Sequence, residues 1–471
     1  MSSEPRRATK IIATVGPASL TEDKLLKLME AGVDMFRFNF AHGTREEHAQ
    51  RIGLVKQLAE RAGKPVGTLA DISGPKIRLG KIPEDTFELK EGETVTFASP
   101  GAAEPGLPVQ LKDFDQYIQP GDSIYIADGT RRLTATACRS GIVTATVDVG
   151  GPVVSFKGIN LPFLRKPLPA VCDKDMADIE CAIDAGIDWI GLSFVGGAED
   201  VEPVRELMQK KGARRRVLAK LERRQALDHL DEIVVAFDGV MVARGDLGIE
   251  VEFEKVPFIQ EQILKAARSR GKPVIVATQI LLSMIHNPRP TRAEVTDIAH
   301  AVTSGADALM LSEETAIGEF APEAVNTIAR VAVVAESMNP PELQQLHSVH
   351  KEETALAHTA AVLAKNLGAS VILCPTRSGN AARGVARFRP QQPIVVVSDQ
   401  NEVVGGLTLY RGVYPVHAEL TDNLDARVKM ALQLATRLGY AGPGDRVVIV
   451  GGVPAGSGRT NLLLTHTIPG N

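Results

Sequence analysis

The stretch 217-VLAKLERRQALDHLDEIVVAFDGVMVARGDLG-248 holds two short apolar runs, each closing on charged residues. In the first, Lys220 and Glu222 stand two apart, so on a strand they share a face. The second is expected to close the same way, on Arg244 and Asp246. A polar segment of helical character separates the two runs. One run of this kind reads as a strand capped by surface ion pairs. Two in succession read as neighbouring strand ends that bring a lysine and two carboxylates to one rim. That donor set can hold a divalent cation and a phosphate together.

Outward from this stretch, strand–helix pairs repeat. Apolar β-type runs are expected at 10–15, 34–40 and 67–72, then at 189–194, 217–222, 239–244, 273–278 and 308–312. Helical patterns lie between them, with a capping box of Thr291 and Glu294 before one and Pro322 at the start of another. Eight βα units with one interruption predict a (β/α)8 TIM barrel, in which the site lies at the C-terminal ends of the strands. The polar residues expected at those ends are Arg37, Asn39, Asp71, Ser193, Lys220, Glu222, Arg244, Asp246, Thr278, Gln279, Ser312 and Glu313. A barrel built for stability alone has no need of so many there.

The interruption, 75–167, shows short alternating runs split by glycine turns and no convincing helix. It predicts an inserted all-β domain, a small barrel or sandwich. The barrel is therefore expected in two parts, 1–74 and 168–340, followed by a C-terminal α/β domain over 341–471. Strands at 371–375, 394–398 and 446–450 and helices at 380–388 and 424–438 are expected in that last domain. The glycine-rich run 451–460 lacks the Gly-Lys-Ser/Thr ending of a P-loop and precedes a strand-like segment. It reads as a loop able to close on an effector.

Bulk properties exclude several classes. The chain has 471 residues, 44% hydrophobic and 23% charged, with net charge −4. Nothing argues for nucleic acid or a membrane surface as partner. The N-terminus lacks the apolar core of a signal peptide. Cys138, Cys172, Cys181 and Cys374 show no CxxC spacing, which disfavours zinc or a disulfide framework and suits a reducing, cytoplasmic setting.

The stretches TKIIATVGPAS, FRFNFAHG, GPKIRLG, FKGINLP, AKLE, MVARGDLG, ATQIL with SMI, and PRPTRAEVTDIAHAV carry a close resemblance to the pyruvate kinase family over almost the whole length. The resemblance implies transfer of phosphate from phosphoenolpyruvate to ADP, giving pyruvate and ATP. It implies Mg2+ or Mn2+ on Glu222 and Asp246. Lys220 would face the moving phosphoryl group and the developing enolate. Arg37, Gly245 and Asp246 would contact substrate, Thr278 would sit beside the methylene carbon, and Arg78 and Lys157 would contact the nucleotide. Thr376, Arg377, Ser378 and Gly379 resemble an effector loop for a sugar phosphate or AMP. The resemblance also implies that the insertion 75–167 is a β-barrel lid domain, that 341–471 is an effector domain, and that the assembly is a homotetramer.

The chain departs from the family pattern at the potassium site. Asn39, Asp71 and the carbonyl of Ile72 remain, but Ala41 replaces a serine and Lys76 a glutamate. A lost hydroxyl and a gained cation together lead to the expectation that Lys76, near Asp71, replaces K+. Leu282, Val295, His300 and Glu313 are further departures, the last three expected to bear on barrel helix and subunit contacts. Two other readings compete. A Mg2+-dependent pyruvate or phosphoenolpyruvate lyase or aldolase would need no nucleotide lid. A catalytically silent sensor would be expected to lose Lys220, Glu222 or Asp246, and all three are present.

Overall fold

The computed structural model describes residues 6–166, 168–340, 342–344, 351–453 and 459–470. Eight parallel strands close into a barrel in sequential order. They are β1 (Lys10–Thr14), β2 (Met35–Asn39), β3 (Gly67–Ile72), β4 (Trp189–Leu192), β5 (Arg216–Leu221), β6 (Gly239–Ala243), β7 (Val274–Ala277) and β8 (Ala308–Leu311). Most of their residues are buried, as expected for parallel strands covered on both faces. Helices surround them. Arg292–Thr303 begins at the expected Thr291–Glu294 capping box. In the helix Ala321–Met338, Pro322 is the second residue rather than the first.

The strand register assembles one rim. Asn39 pairs with Asp71 across β2 and β3, and Asp71 with Gly191 across β3 and β4. β4 and β5 are also neighbours, with Leu192 opposite Ala219, so Lys220 follows at the same level.

The insertion is all-β. It forms a six-stranded sheet, and a two-stranded sheet of Thr86–Leu89 and Gly151–Val154. The edge strands of the larger sheet are the two-residue Leu107–Pro108 and Ile159–Asn160. Residues 77–80 link these two edges: the Gly80 N–H donates to Pro108 O at 2.6 Å and the Ile159 N–H to Ile77 O at 2.8 Å, with bridges Leu79–Val109 and Arg78–Gly158. The insertion encloses its own core, including Phe97, Phe114, Ile124 and Leu133.

The C-terminal segment forms a five-stranded sheet. Its strands are β9 (Val371–Pro375), β10 (Ile394–Ser398), β11 (Val413–His417), β12 (Arg446–Gly451) and β13 (Leu462–Thr467), in the order β11-β10-β9-β12-β13. β13 runs antiparallel to β12. Of the glycine-rich run, residues 454–458 lie outside the described residues, and so does Pro167 at the expected end of the insertion. The C-terminal sheet closes the barrel floor. Ile12, Met35, Leu69, Trp189, Leu218, Met241, Ile275 and Met310 form one apolar cluster with Phe388, Leu407 and Tyr410. The Trp189 indole donates to the carbonyl of Gly406 at 3.1 Å. Buried Arg389 grips Asp307 with two bonds of 2.7 and 2.8 Å.

Candidate active site

The opposite rim of the barrel is charged and tightly bonded. The Lys220 ammonium lies 2.9 Å from Asp71, 3.0 Å from Glu222 and 2.6 Å from the Ser193 hydroxyl, to which it donates. Ser193 donates in turn to the carbonyl of Ile72 at 2.6 Å. Arg37 donates to Asp71 through Nε at 2.7 Å and to Thr14 at 3.0 Å. Thus five expected residues, from β2, β3, the residue after β4 (Ser193) and the end of β5, form one network. Thr14, which closes β1, supports it. Thr14 was not singled out from the sequence, although the polar end of KIIAT was the available signal.

Burial would pull the Lys220 ammonium down, but Asp71 and Glu222 outweigh it and hold it above the ordinary lysine range. Asp71 is held below the usual carboxylate range despite burial, because Lys220 and Arg37 both face it. Glu222 behaves differently. Burial lifts it above the usual range, Lys220 opposes the rise, and the nearby charges of Asp246 and Asp71 add to it. A group that would gain by meeting another cation therefore sits at the rim, with its Oε2 also accepting the backbone N–H of Phe194 at 2.8 Å.

Asp246 corrects the expectation drawn from its strand. β6 ends at Ala243, and Arg244–Glu250 is a helix. On a helix, residues two apart do not share a face. Arg244 and Asp246 accordingly diverge. Arg244 donates to both oxygens of Asp297 at 2.7 and 2.8 Å, and to the carbonyls of Thr278 at 2.8 Å and Gln279 at 3.2 Å. Asp246, in the first turn, is stabilised by the helix N-terminus and paired with Lys76 at 2.9 Å.

Lys76 is a second correction. Its expected neighbour Asp71 is already bonded to Arg37 and Lys220, so the ammonium reaches Asp246 instead. It also lies 5.8 Å from the centre of the Phe194 ring. Asn39 points its oxygen to the N–H of Ala41 at 3.1 Å.

Thr278 and Gln279 have φ of +68° and +54°. A β-branched residue there is strained, and Arg244 grips both carbonyls. The Gly245 N–H donates to Thr278 Oγ1 at 2.8 Å, while the hydroxyl donates to Ala277 O at 2.6 Å.

The two nucleotide candidates lie on the insertion. Arg78 bridges to Gly158 in the backbone, next to Lys157, and its side chain donates to Phe156 O at 3.2 Å. Among the described residues, neither Arg78 nor Lys157 has a carboxylate partner. In the C-terminal loop, Thr376 Oγ1 accepts the N–H of Ser378 and of Gly379 at 3.2 and 3.0 Å. Arg377 is bonded to Asp399, Asp422 and Leu420 O, each at 2.9 Å. The loop's hydroxyl and cation are thus engaged internally.

A divalent metal fits the rim. Among the described residues no group of three or more His, Cys, Asp or Glu could cage an ion, but Mg2+ takes one or two carboxylates and draws its other ligands from substrate and water. Glu222 and Asp246, near enough for the Asp246 charge to raise the Glu222 carboxyl, are the two that would serve. Among the described residues, no helix is long and apolar enough to cross a membrane.

Comparison with known proteins agrees with the geometry. The family model for the pyruvate kinase barrel domain matches residues 6–325, and that for the pyruvate kinase alpha/beta domain matches residues 354–466. The chain is 40% identical to the pyruvate kinase of Geobacillus stearothermophilus, over 98% of this chain and 81% of that protein. It is 40% identical to that of Methylorubrum extorquens (97% and 96%) and 39% identical to that of Thermococcus litoralis (99% and 99%). Members of this family generally need a divalent metal and K+, and act on phosphoenolpyruvate and ADP. The chain belongs to the pyruvate kinase family, phosphotransferases that move the phosphoryl group of phosphoenolpyruvate to ADP and release pyruvate and ATP.

Proposed function

We propose that Lys220 is the group that meets the charge moved in this reaction. The observation that carries the reading is its place between Asp71, Glu222 and Ser193, buried at the strand ends. Held above the ordinary lysine range, it stays an ammonium. It therefore acts by charge rather than as a proton acceptor. The P–O bond of phosphoenolpyruvate breaks, a terminal oxygen of ADP takes the phosphoryl group, and the remaining enolate gains a proton at its methylene carbon. Lys220 and Arg37 face the phosphoryl group, and Lys220 also faces the enolate oxygen. Thr278 stands by the methylene carbon. Its proton points to Ala277 O, so it orders a proton-carrying water rather than acting as the acid.

Glu222 and Asp246 are the residues that would hold Mg2+ or Mn2+, which supplies positive charge to phosphate and carboxylate oxygens when bound. Gly245 and Asp246 border the substrate. Arg78 and Lys157 bring cations from the insertion to the phosphates of ADP, and the insertion acts as a lid that excludes water. Asn39, Asp71 and Ile72 mark the monovalent site. Lys76 supplies a fixed cation in its place, through Asp246 rather than Asp71. The C-terminal domain takes a sugar-phosphate or AMP effector at Thr376–Gly379. A phosphate there would replace Asp422, whose side chain is 79% exposed and so readily displaced from Arg377. The enzyme works in the cytoplasm as a homotetramer.

The test is turnover with phosphoenolpyruvate and ADP, coupled to pyruvate reduction. Lys220→Met is expected to lower turnover by about 10²–10³. Near-normal turnover in that variant removes Lys220 from the role. Sugar phosphates and AMP added to the same assay report on the effector loop.

A further inference from the structure

The helix Arg244–Glu250 carries Asp246 in its first turn and Glu250 at its last residue. The two are four apart, so they lie on one face. Both stems of the insertion engage that face. On the outgoing stem, Lys76 bonds Asp246 at 2.9 Å. On the returning stem, strand Ile159–Asn160 packs on the helix, and buried Asn160 lines one cavity with Glu250. A turn of the insertion also reaches this helix, at Gly129 beside Ile249.

Glu250 is only 8% exposed. The Arg223 guanidinium lines the same cavity, and its charge acts on the Glu250 carboxyl. Arg223, 8% exposed, lies 5.3 Å from the centre of the Phe194 ring, and Lys76 lies 5.8 Å from it. Lys76, Asn160, Phe194, Arg223 and Glu250 line one cavity of about 20 Å³ between insertion and barrel, room for about one water. A buried carboxylate, a buried guanidinium and an amide meeting across a domain junction are costly unless they pair with one another.

We propose that Glu250 is a positioning residue for phosphoryl transfer. Through Asn160 and Arg223 it ties the lid stem to the helix that bears Asp246, so lid orientation and placement of Asp246 are set together. The proposal rests on the reading of the insertion as a nucleotide lid and of Asp246 as a metal ligand.

Three variants of the full chain test it: Glu250→Ala, Asn160→Ala and the double variant, with Glu250→Gln as the conservative replacement. Wild-type turnover is measured first, and its absence defeats the underlying reading rather than the tie. With turnover present, Glu250→Ala is expected to raise KM for ADP and the Mg2+ concentration for half-activation by about tenfold. KM for phosphoenolpyruvate should change less than twofold. Asn160→Ala should add nothing to Glu250→Ala, and Glu250→Gln should restore most of the loss.

Hydrogen exchange gives a readout apart from activity. The stem amides of Leu79 and Ile159, bonded to Lys157 O and Ile77 O at 2.8 Å, should exchange faster in Glu250→Ala. The tie is overturned if KM for ADP and Mg2+ activation stay within twofold of wild type. It is equally overturned if the two single effects multiply in the double variant, or if stem exchange is unchanged.

Discussion

Replacing Glu250 with glutamine should change how stability depends on pH. Burial pushes this carboxyl from its usual 4.5 up to about 7, although Arg223, Asn160 and Arg224 oppose the rise. Asp246 on the same helix adds to it, and the Lys76 ammonium lines the same cavity. At pH 5 the folded carboxyl is protonated while the unfolded one is largely ionised, so proton binding favours the fold. As pH rises through 7 the folded group must ionise, and that contribution is lost. The rise from 4.5 to about 7 corresponds to about 3 kcal/mol, most of which disappears between pH 5 and pH 8. Glutamine has nothing to ionise. The stability of Glu250→Gln relative to wild type should therefore increase by about 2–3 kcal/mol over that interval. Urea unfolding at four pH values, in EDTA to keep divalent ions from Asp246, measures it. Trp189, the one tryptophan in the chain, is buried in the barrel floor and reports the transition by fluorescence. A difference between variant and wild type that stays flat from pH 5 to pH 8 refutes the reasoning, because the folded carboxyl would then not titrate there.

Turnover should be nearly the same in potassium and in tetramethylammonium salts, because Lys76 already supplies a cation beside Asp246; strong activation by K+ in the coupled assay counts against this. Arg244→Ala frees the strained carbonyls of Thr278 and Gln279. It is expected to lower kcat by about tenfold or more with little change in KM for phosphoenolpyruvate, and equal loss in both would point to general damage. A methyl at Gly405 would overlap the Asp188 carboxylate, which receives the N–H of Thr68 at 2.9 Å. Gly405→Ala should destabilise the junction of barrel and C-terminal sheet by about 1–3 kcal/mol, seen as a lower urea midpoint; an unchanged midpoint would show that the junction yields.

The barrel was legible because parallel strands buried on both faces leave continuous apolar runs, and β3 begins and ends where its sequence pattern does. Lys220, Glu222, Asp71 and Arg37 were legible as strand-end residues for the same reason. Asp246 was legible as a carboxylate but not in its geometry. The apolar run through Ala243 gives no sign that the chain turns helical at Arg244. The partner of Lys76 could not be read either, since it depends on Arg37 and Lys220 having already taken Asp71. Strand β11 escaped notice because Pro415 interrupts it and its burial alternates at the sheet edge. Arg223, Asn160 and Glu250 are ordinary polar residues far apart in sequence, and only the docking of the insertion shows that they meet.

The continuity of the barrel floor with the C-terminal sheet sets a limit on how small this enzyme can be made. Trp189, Met35, Leu69 and Met310 lie in the same apolar cluster as Phe388, Leu407 and Tyr410. A chain stopped at residue 340 would keep Lys220, Glu222 and Asp246 but turn that floor into an exposed greasy disc, with Asp307 stripped of Arg389. The C-terminal segment is thus also the barrel's stopper, and the barrel cannot be cut free of it without baring its floor.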